Sequence, residues 1–246
     1  MFPQLKEQAI GQLSTIPLVP LGTVIFIDQG RKGYRYIQFG GTSAITAGKL
    51  LVAPVAPANS TGLAIPTTNL AAQLVSGSRQ IIITNGATAV TQDQFADGSL
   101  EVLGTNAGFS CRIAGNTADS VGAAALTINL VEALRNTTTL ANGTNTVNLR
   151  LSIAAGPTAS LTQAAPVGVT IMPVANSSTV TNYGWVQIFG DTFVFATSAT
   201  KGFPVVQDTS GTAGYIANTG SNLPQIGIAR ESAVSSMASI RLNLID

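Results

Sequence analysis

The chain has 246 residues, a net charge of +1 and no histidine. Apolar residues make up 45% and charged residues only 9%, against a usual charged share of about 25%. That excludes a disordered chain, which is poor in aliphatics and rich in charge. Without His, the Ser-His-Asp triad, the commonest general base and the commonest metal ligand are all missing.

Residues Gln4 to Leu13 put Leu5, Ala9 and Leu13 on one helical stripe, weakened by Gly11. Pro17 and Pro20 then force an extended course. Phe2, Leu5, Ile10, Leu13, Leu18 and Val19 make this stretch too apolar for a free tail. It reads as an N-terminal arm over residues 1–20 that docks on a neighbouring subunit. The start "MFPQLKEQAIGQL" lacks the basic residues and apolar run of a secretory signal.

"GTVIFIDQGRKGYRYIQFGG" is an apolar run, a Gly-containing polar turn and an aromatic-rich run, the pattern of a β-hairpin. "SAITAGKLLVAP" supplies another short strand. Pro54, Pro57 and Pro66 mark a loop region, "TNLAAQLV" fits a short helix, and "RQIIITNG" is a strand closed by Asn-Gly.

In the middle of the chain, "FSCRI" places Phe109, Cys111 and Ile113 on one face, with the lone Cys111 read as a small buried residue. "ALTINLV" aligns Leu126, Ile128 and Leu130; its β-branched Thr127, Ile128 and Val131 favour a strand over a helix. "VNLRLSI" alternates Val147, Leu149, Leu151 and Ile153 against Asn148, Arg150 and Ser152. One apolar and one wet face is the mark of an antiparallel sheet packed on one side. Further on, "VGVTIMPV", "GWVQIFG", "TFVFA", "FPVVQ", "IGIA" and "SIRLNLI" are short strands between turn residues.

The expected fold is mainly β: antiparallel β-sandwich or barrel modules with few short helices and an extended N-terminal arm. Three modules are expected after the arm, over 21–90, 91–160 and 161–246. The last is expected to pack with the first, because Tyr34 to Ala53 is echoed by Tyr183 to Val206. In each, two aromatics flank one residue and are followed by an apolar residue, Gln, and an aromatic and Gly downstream.

Few residues suggest chemistry. Asp93, Asp97 and Glu101 lie close in sequence, but their spacing fails an EF-hand. They could serve an acidic hydrolase site, or simply an Asp97-Gly98 turn with solvated carboxylates, the plainer reading. No phosphate loop or nucleophile elbow is present. The basic residues are scattered, against a nucleic-acid partner. The longest apolar stretch, "AAPVGVTIMPVA", is too short and Pro-broken for a membrane helix. The Asn-x-Ser/Thr matches at Asn59, Asn136, Asn142 and Asn176 follow from Asn and Thr richness. Trp185 and Tyr183 offer two readings, a stacking platform for a glycan or the filling of a core or subunit seam. The apolar neighbours Val186, Ile188, Phe193 and Phe195 favour the second.

Four segments carry a family resemblance: "LGTVIFIDQGRKGYRYIQFGGTSAITAGKLL", "DQFADGSLEVLGTNAGFSCRIAGN", "VGVTIMPVANSSTVTNYGWVQIFGDTFV", and "IGIARESA" with "SIRLNL". In this order they resemble a class of tailed-bacteriophage virion proteins, the capsid decoration or cement proteins. The chain departs from that class in Phe2, Pro3 and the long apolar N-terminal segment. The resemblance implies a non-enzymatic structural protein on the outer surface of the capsid, without cofactor. Its implied partners are the major capsid protein and itself, as a trimer or dimer across capsomer junctions, with the homotrimer expected. The interface would include Phe2, Leu5, Leu13, Leu18, Val19, Tyr183 and Trp185. A phage tail or fibre component binding host glycans is the alternative.

Overall fold

The computed structural model describes residues 10–40, 43–54, 56–57, 60–65, 77–86, 88–104, 107–120, 125–134, 146–162, 164–175, 181–218 and 223–245. The strands in chain order are β1 (Val24–Ile27), β2 (Lys32–Gln38), β3 (Leu50–Val52), β4 (Leu63–Ala64), β5 (Gln80–Thr84), β6 (Ser99–Gly104), β7 (Ala107–Asn116) and β8 (Ala125–Leu130). They continue with β9 (Thr146–Arg150), β10 (Pro166–Thr170), β11 (Tyr183–Phe195), β12 (Pro204–Gln207), β13 (Ile216–Asn218), β14 (Gln225–Ala229) and β15 (Met237–Asn243). The protein is mainly β with antiparallel sheets, as its alternating pattern indicates.

Two compact units emerge: Met1–Pro54 with Ile153–Asp246, and Val55–Ser152. This corrects the expected boundaries at 90/91 and 160/161. The middle of the chain is a single insertion that takes residues 55–90 from the first expected module, and residues 21–54 share one unit with the last. The clean alternation from Val147 to Ile153 hides the border. Leu151 packs on the core of the inserted unit, whereas Ile153 packs on a core of the other.

The inserted unit is a six-stranded sheet in the order β4-β9-β6-β7-β8-β5. Its period-2 pattern turns Ile81, Ile83, Leu100, Val102, Ile113, Leu126, Ile128, Val147 and Leu149 into one core. Cys111 lies at its margin, half-buried, and the side chain of Phe109 lies outside the described ones. Phe95, in the loop that precedes β6, is buried. That loop is held by fully buried Asn116, whose side chain accepts the Phe95 N–H at 2.8 Å and donates to the carbonyls of Thr91 and Thr117.

The other unit holds a nine-stranded sheet. The two echoed segments are neighbours in it. β2 and β11 pair antiparallel, with Tyr36 opposite Trp185, Tyr34 opposite Gln187 and Gln38 opposite Tyr183. The repeat thus brings like onto like about a local two-fold between Tyr36 and Trp185.

β11 has 13 residues and serves two neighbourhoods. Its first half lies between β2 and β10, and its second half pairs with β15. The change occurs at a register shift between Gln187 and Phe189. There buried Gln187 donates from Nε2 to the carbonyls of Phe189 and Asp191, each at 3.0 Å. Gly190 follows with φ +93, and a Cβ on it would strike the Arg31 carbonyl. Beyond this bend the order β11-β15-β14-β12-β13 curls until Ala196 bridges Ile216 in parallel. The nearly closed barrel encloses Ile188, Val194, Val205, Ile216, Ile226, Ile240 and Leu242.

The N-terminal segment is less free than its prolines suggest. Over Ile10–Leu21 it belongs to this unit. Ile10 is buried with Tyr34, Tyr36 and Trp185, and Val19 and Leu21 pack on the same cluster. Leu13 packs beside Ile37 and Phe39. Ser14 and Tyr183 exchange backbone hydrogen bonds of 2.9 and 2.8 Å, and the Leu18 N–H donates to the Tyr36 hydroxyl at 3.0 Å. Phe2, Leu5, the rest of the expected helix before Ile10, the "TNLAAQLV" segment and the four Asn-x-Ser/Thr sites lie outside the described residues.

Gln187→Ala is expected to destabilise the first unit by about 1–3 kcal/mol, because two part-buried carbonyls lose their donor. A lowered urea midpoint at unchanged slope would register it; an unchanged midpoint would mean that water replaces the amide.

Candidate functional site

The residues singled out in the sequence divide sharply. Trp185 is 3% exposed, edge-on to Tyr36 with ring centroids 5.1 Å apart at 61°. Tyr183 is half-buried and stacked on Tyr36 at 6.4 Å and 12°. Neither face of Trp185 is presented to solvent as a sugar platform, so core filling is what this geometry supports. Gly184 lies between the two aromatics because a Cβ there would press on Leu13 and Phe39, each 3.1 Å away. The N-terminal segment crosses β11 at this point. Burial raises the Tyr36 hydroxyl pKa, the Leu18 N–H opposes this, and Tyr183 adds a smaller upward push. Tyr36 is therefore a neutral anchor for the crossing segment.

Of the remaining expected interface residues, Leu13 and Val19 face inward and Leu18 is 65% exposed. Ile16, Val24 and Phe26 are exposed apolar side chains as well. On the barrel, Phe193 and Ile228 project from the outer face, with the Arg241 position of β15 between their strands.

The acidic candidates do not converge. Asp97 pairs with Arg112 at 2.5 Å and Glu101 with Arg150 at 2.6 Å, both on the exposed face of the inserted sheet. Asp93 accepts the Asn116 N–H at 3.2 Å. The Asp97-Gly98 turn forms as expected, with Asp97 at φ 60 and the Gly98 N–H on the Phe95 carbonyl. Its carboxylate is ion-paired rather than merely solvated. Among the described residues no group of three His, Cys, Asp or Glu side chains could hold a metal ion. The cavity bordered by Ser60, Asn85, Val90, Phe95 and Leu149 measures about 10 Å³, room for a single water.

Two polar positions escaped the sequence reading. Lys49 donates from Nζ to the Ala213 carbonyl at 2.8 Å and lies 4.0 Å from the Tyr215 ring centroid and 5.3 Å from that of Phe195. Burial pushes its ammonium pKa down, while the stacked rings Phe195 and Tyr215 favour the cation. Lys49 thereby ties the turn before β3 to the loop before β13. Asp208 is buried at the end of β12 and accepts the N–H groups of Ser210, Gly211 and Thr212. Burial raises its pKa, but these bonds and the Thr197 side chain more than offset it, so the net shift is downward. Only the Lys-after-Gly and Asp-Thr-Ser-Gly patterns hinted at either residue. The rings and amides that complete them come from distant or turned chain.

No protein-family model, curated protein sequence or solved structure matches this chain.

Ile10→Ala is expected to cost about 2–5 kcal/mol through the cavity it leaves beside Trp185. Red-shifted Trp185 emission in the folded variant would accompany loosening of the segment; wild-type emission and stability would show that Ile10 does not seal the cluster. Asp208→Asn is expected to lower stability by about 1–3 kcal/mol at neutral pH. Because the folded pKa lies below the unfolded value of about 3.9, the carboxylate stabilises above that value and loses its contribution as pH falls through the folded pKa. The difference between wild type and variant in urea unfolding should therefore shrink in acid. A constant difference from pH 7 downward would contradict the assignment.

Proposed function

We propose that the chain is a structural virion protein that coats the outer surface of a tailed-phage capsid. It binds the major capsid protein across capsomer junctions and carries out no catalysis. The homotrimer expected from the resemblance is the working assembly.

One observation carries this reading. The four resembling segments are scaffold elements: they fall on the strand pairs β1–β2, β6–β7, β10–β11 and β14–β15, all antiparallel. The likeness therefore lies in how the sheets are built, as suits a protein whose task is structural. Buried amides and carboxylates such as Asn116, Gln187 and Asp208 bond to the chain's own backbone. Exposed Phe193, Phe203 and Ile228 leave apolar surface for protein contacts. A protein that binds only the assembled lattice stabilises it by mass action, and repeated weak contacts add through symmetry.

Purified full chain is expected to co-sediment with expanded heads of the phage that encodes it, and to raise their resistance to heat or chelator. Saturation should scale with the number of capsomers. Chain that stays in the supernatant of expanded heads, or particles carrying only a handful of copies, would sink the reading.

A further inference from the structure

The open edge of the first unit's sheet is β1, and its hydrogen-bonding groups can be assigned. β1 pairs with β2 in the register Val24 to Arg35 through Ile27 to Lys32. The Tyr36 N–H donates to the Thr23 carbonyl. Alternation along an antiparallel ladder then gives Ile25 and Ile27 the bonds to β2 and turns the N–H and C=O groups of Val24 and Phe26 to the free edge. Among the described residues nothing pairs with them there. The side chains of the same two residues are 40% and 49% exposed.

Natural sheets protect such edges with charge, proline or a covering segment. Among the described residues this edge has none of these. Val24 to Ile27 is "VIFI", and no charged residue occurs anywhere from Gln8 to Ile27. Ile16 and Leu18, 63% and 65% exposed, belong to the uncharged segment that packs on the Ile25 and Tyr36 face, opposite to that of Val24 and Phe26. A charged partner strand gains nothing from this edge, whereas a neutral one matches it.

The geometry points to a second copy of this chain as that partner, adding its own β1 antiparallel about a two-fold axis at Ile25. The register is self-complementary. Val24 falls opposite Phe26 of the second copy, and Phe26 opposite its Val24. These are hydrogen-bonded pairs, so every free edge group of both strands is used. Between them the half-buried Ile25 side chains meet across the axis on the opposite face. Asp28 falls opposite uncharged Gly22, so the pairing brings no like charges together. It is an isologous contact, in which one patch meets itself. It needs no other protein and stands independently of the capsid reading. Where the chain also trimerises through another surface, β1 joins trimer to trimer.

The test uses the intact chain in sedimentation equilibrium across a wide concentration range, with amide exchange followed by NMR. The native mass should be an even multiple of the chain mass, and exchange at Val24 and Phe26 should slow as concentration rises. Val24→Lys and Phe26→Lys each place a charge on the edge and should weaken association about tenfold or more, halving the mass at concentrations where wild type is associated. Val24→Lys guards against misfolding of Phe26→Lys, since Phe26 also contacts the Phe189 ring. Val234→Lys, at a 73% exposed position before β15 and outside the contact surfaces named above, should leave the mass unchanged. A monomer or an odd-numbered oligomer at all concentrations would overturn the proposal. So would an even oligomer that both edge lysines leave intact, or fast exchange at Val24 and Phe26 in the associated state.

Discussion

The first unit depends on the bend in β11. A straight strand of that length would hold one set of neighbours from end to end. Here the register shift after Gln187 and the left-handed Gly190 turn the strand from the β2–β10 side to the β15 side. A bulge exposes backbone carbonyls that the ladder no longer satisfies, and a buried orphan carbonyl is costly. The Gln187 amide takes two of them. The echoed aromatic pair and the barrel can therefore share one strand, with the Tyr36–Trp185 contact on one side of the bend and the Val194 and Ile240 core on the other.

The same device recurs at three other departures from regular pairing. Asn116 holds the loop before β6, Asp208 gathers the amides that follow β12, and Gln207 donates to the carbonyls of Ser160 and Thr162. A chain with 9% charged residues has few ion pairs to fix its loops. Neutral amides and hydroxyls do this work through bonds to backbone, which are weakly sensitive to salt and, apart from Asp208, to pH. The poverty in charge noted from composition thus has a structural counterpart.

What the sequence disclosed followed from periodicity. Strands with one wet face, such as β9 and β15, announced themselves through Val147, Leu149, Ile240 and Leu242. β8 could be separated from a helix by its β-branched residues. Long-range decisions were less visible. The alternation from Val147 to Ile153 runs unbroken across the unit border, because period 2 records which side is apolar and not which core it meets. The apolar run around Ile10 looked like an arm seeking a partner, since its target, the Tyr36–Trp185 cluster, is assembled from strands far apart in the chain. Lys49 was opaque for the same reason: its rings arrive from Phe195 and Tyr215. The carboxylates near Asp97 were read as solvated because Arg112 and Arg150 join them only through cross-strand registry.

Where the few charges sit is as informative as how few there are. On the inserted sheet Asp97–Arg112 and Glu101–Arg150 occupy the outer face, and on the barrel Asp191 approaches Arg230 at 3.8 Å. Exposed pairs of this kind add little stability, but they keep a sheet surface hydrated and discourage strand-on-strand association. β1 carries no such guard. Its free backbone groups and its exposed side chains belong to the same residues, so one substitution removes an exposed apolar side chain and sets a charge beside the edge's hydrogen-bonding groups. A solitary short strand makes a weak contact, because ordering two bodies costs more than a few bonds return. In a closed symmetric assembly or on a lattice that cost is shared among many copies, and an edge too weak to hold a dimer tightly can still fix the spacing of an array.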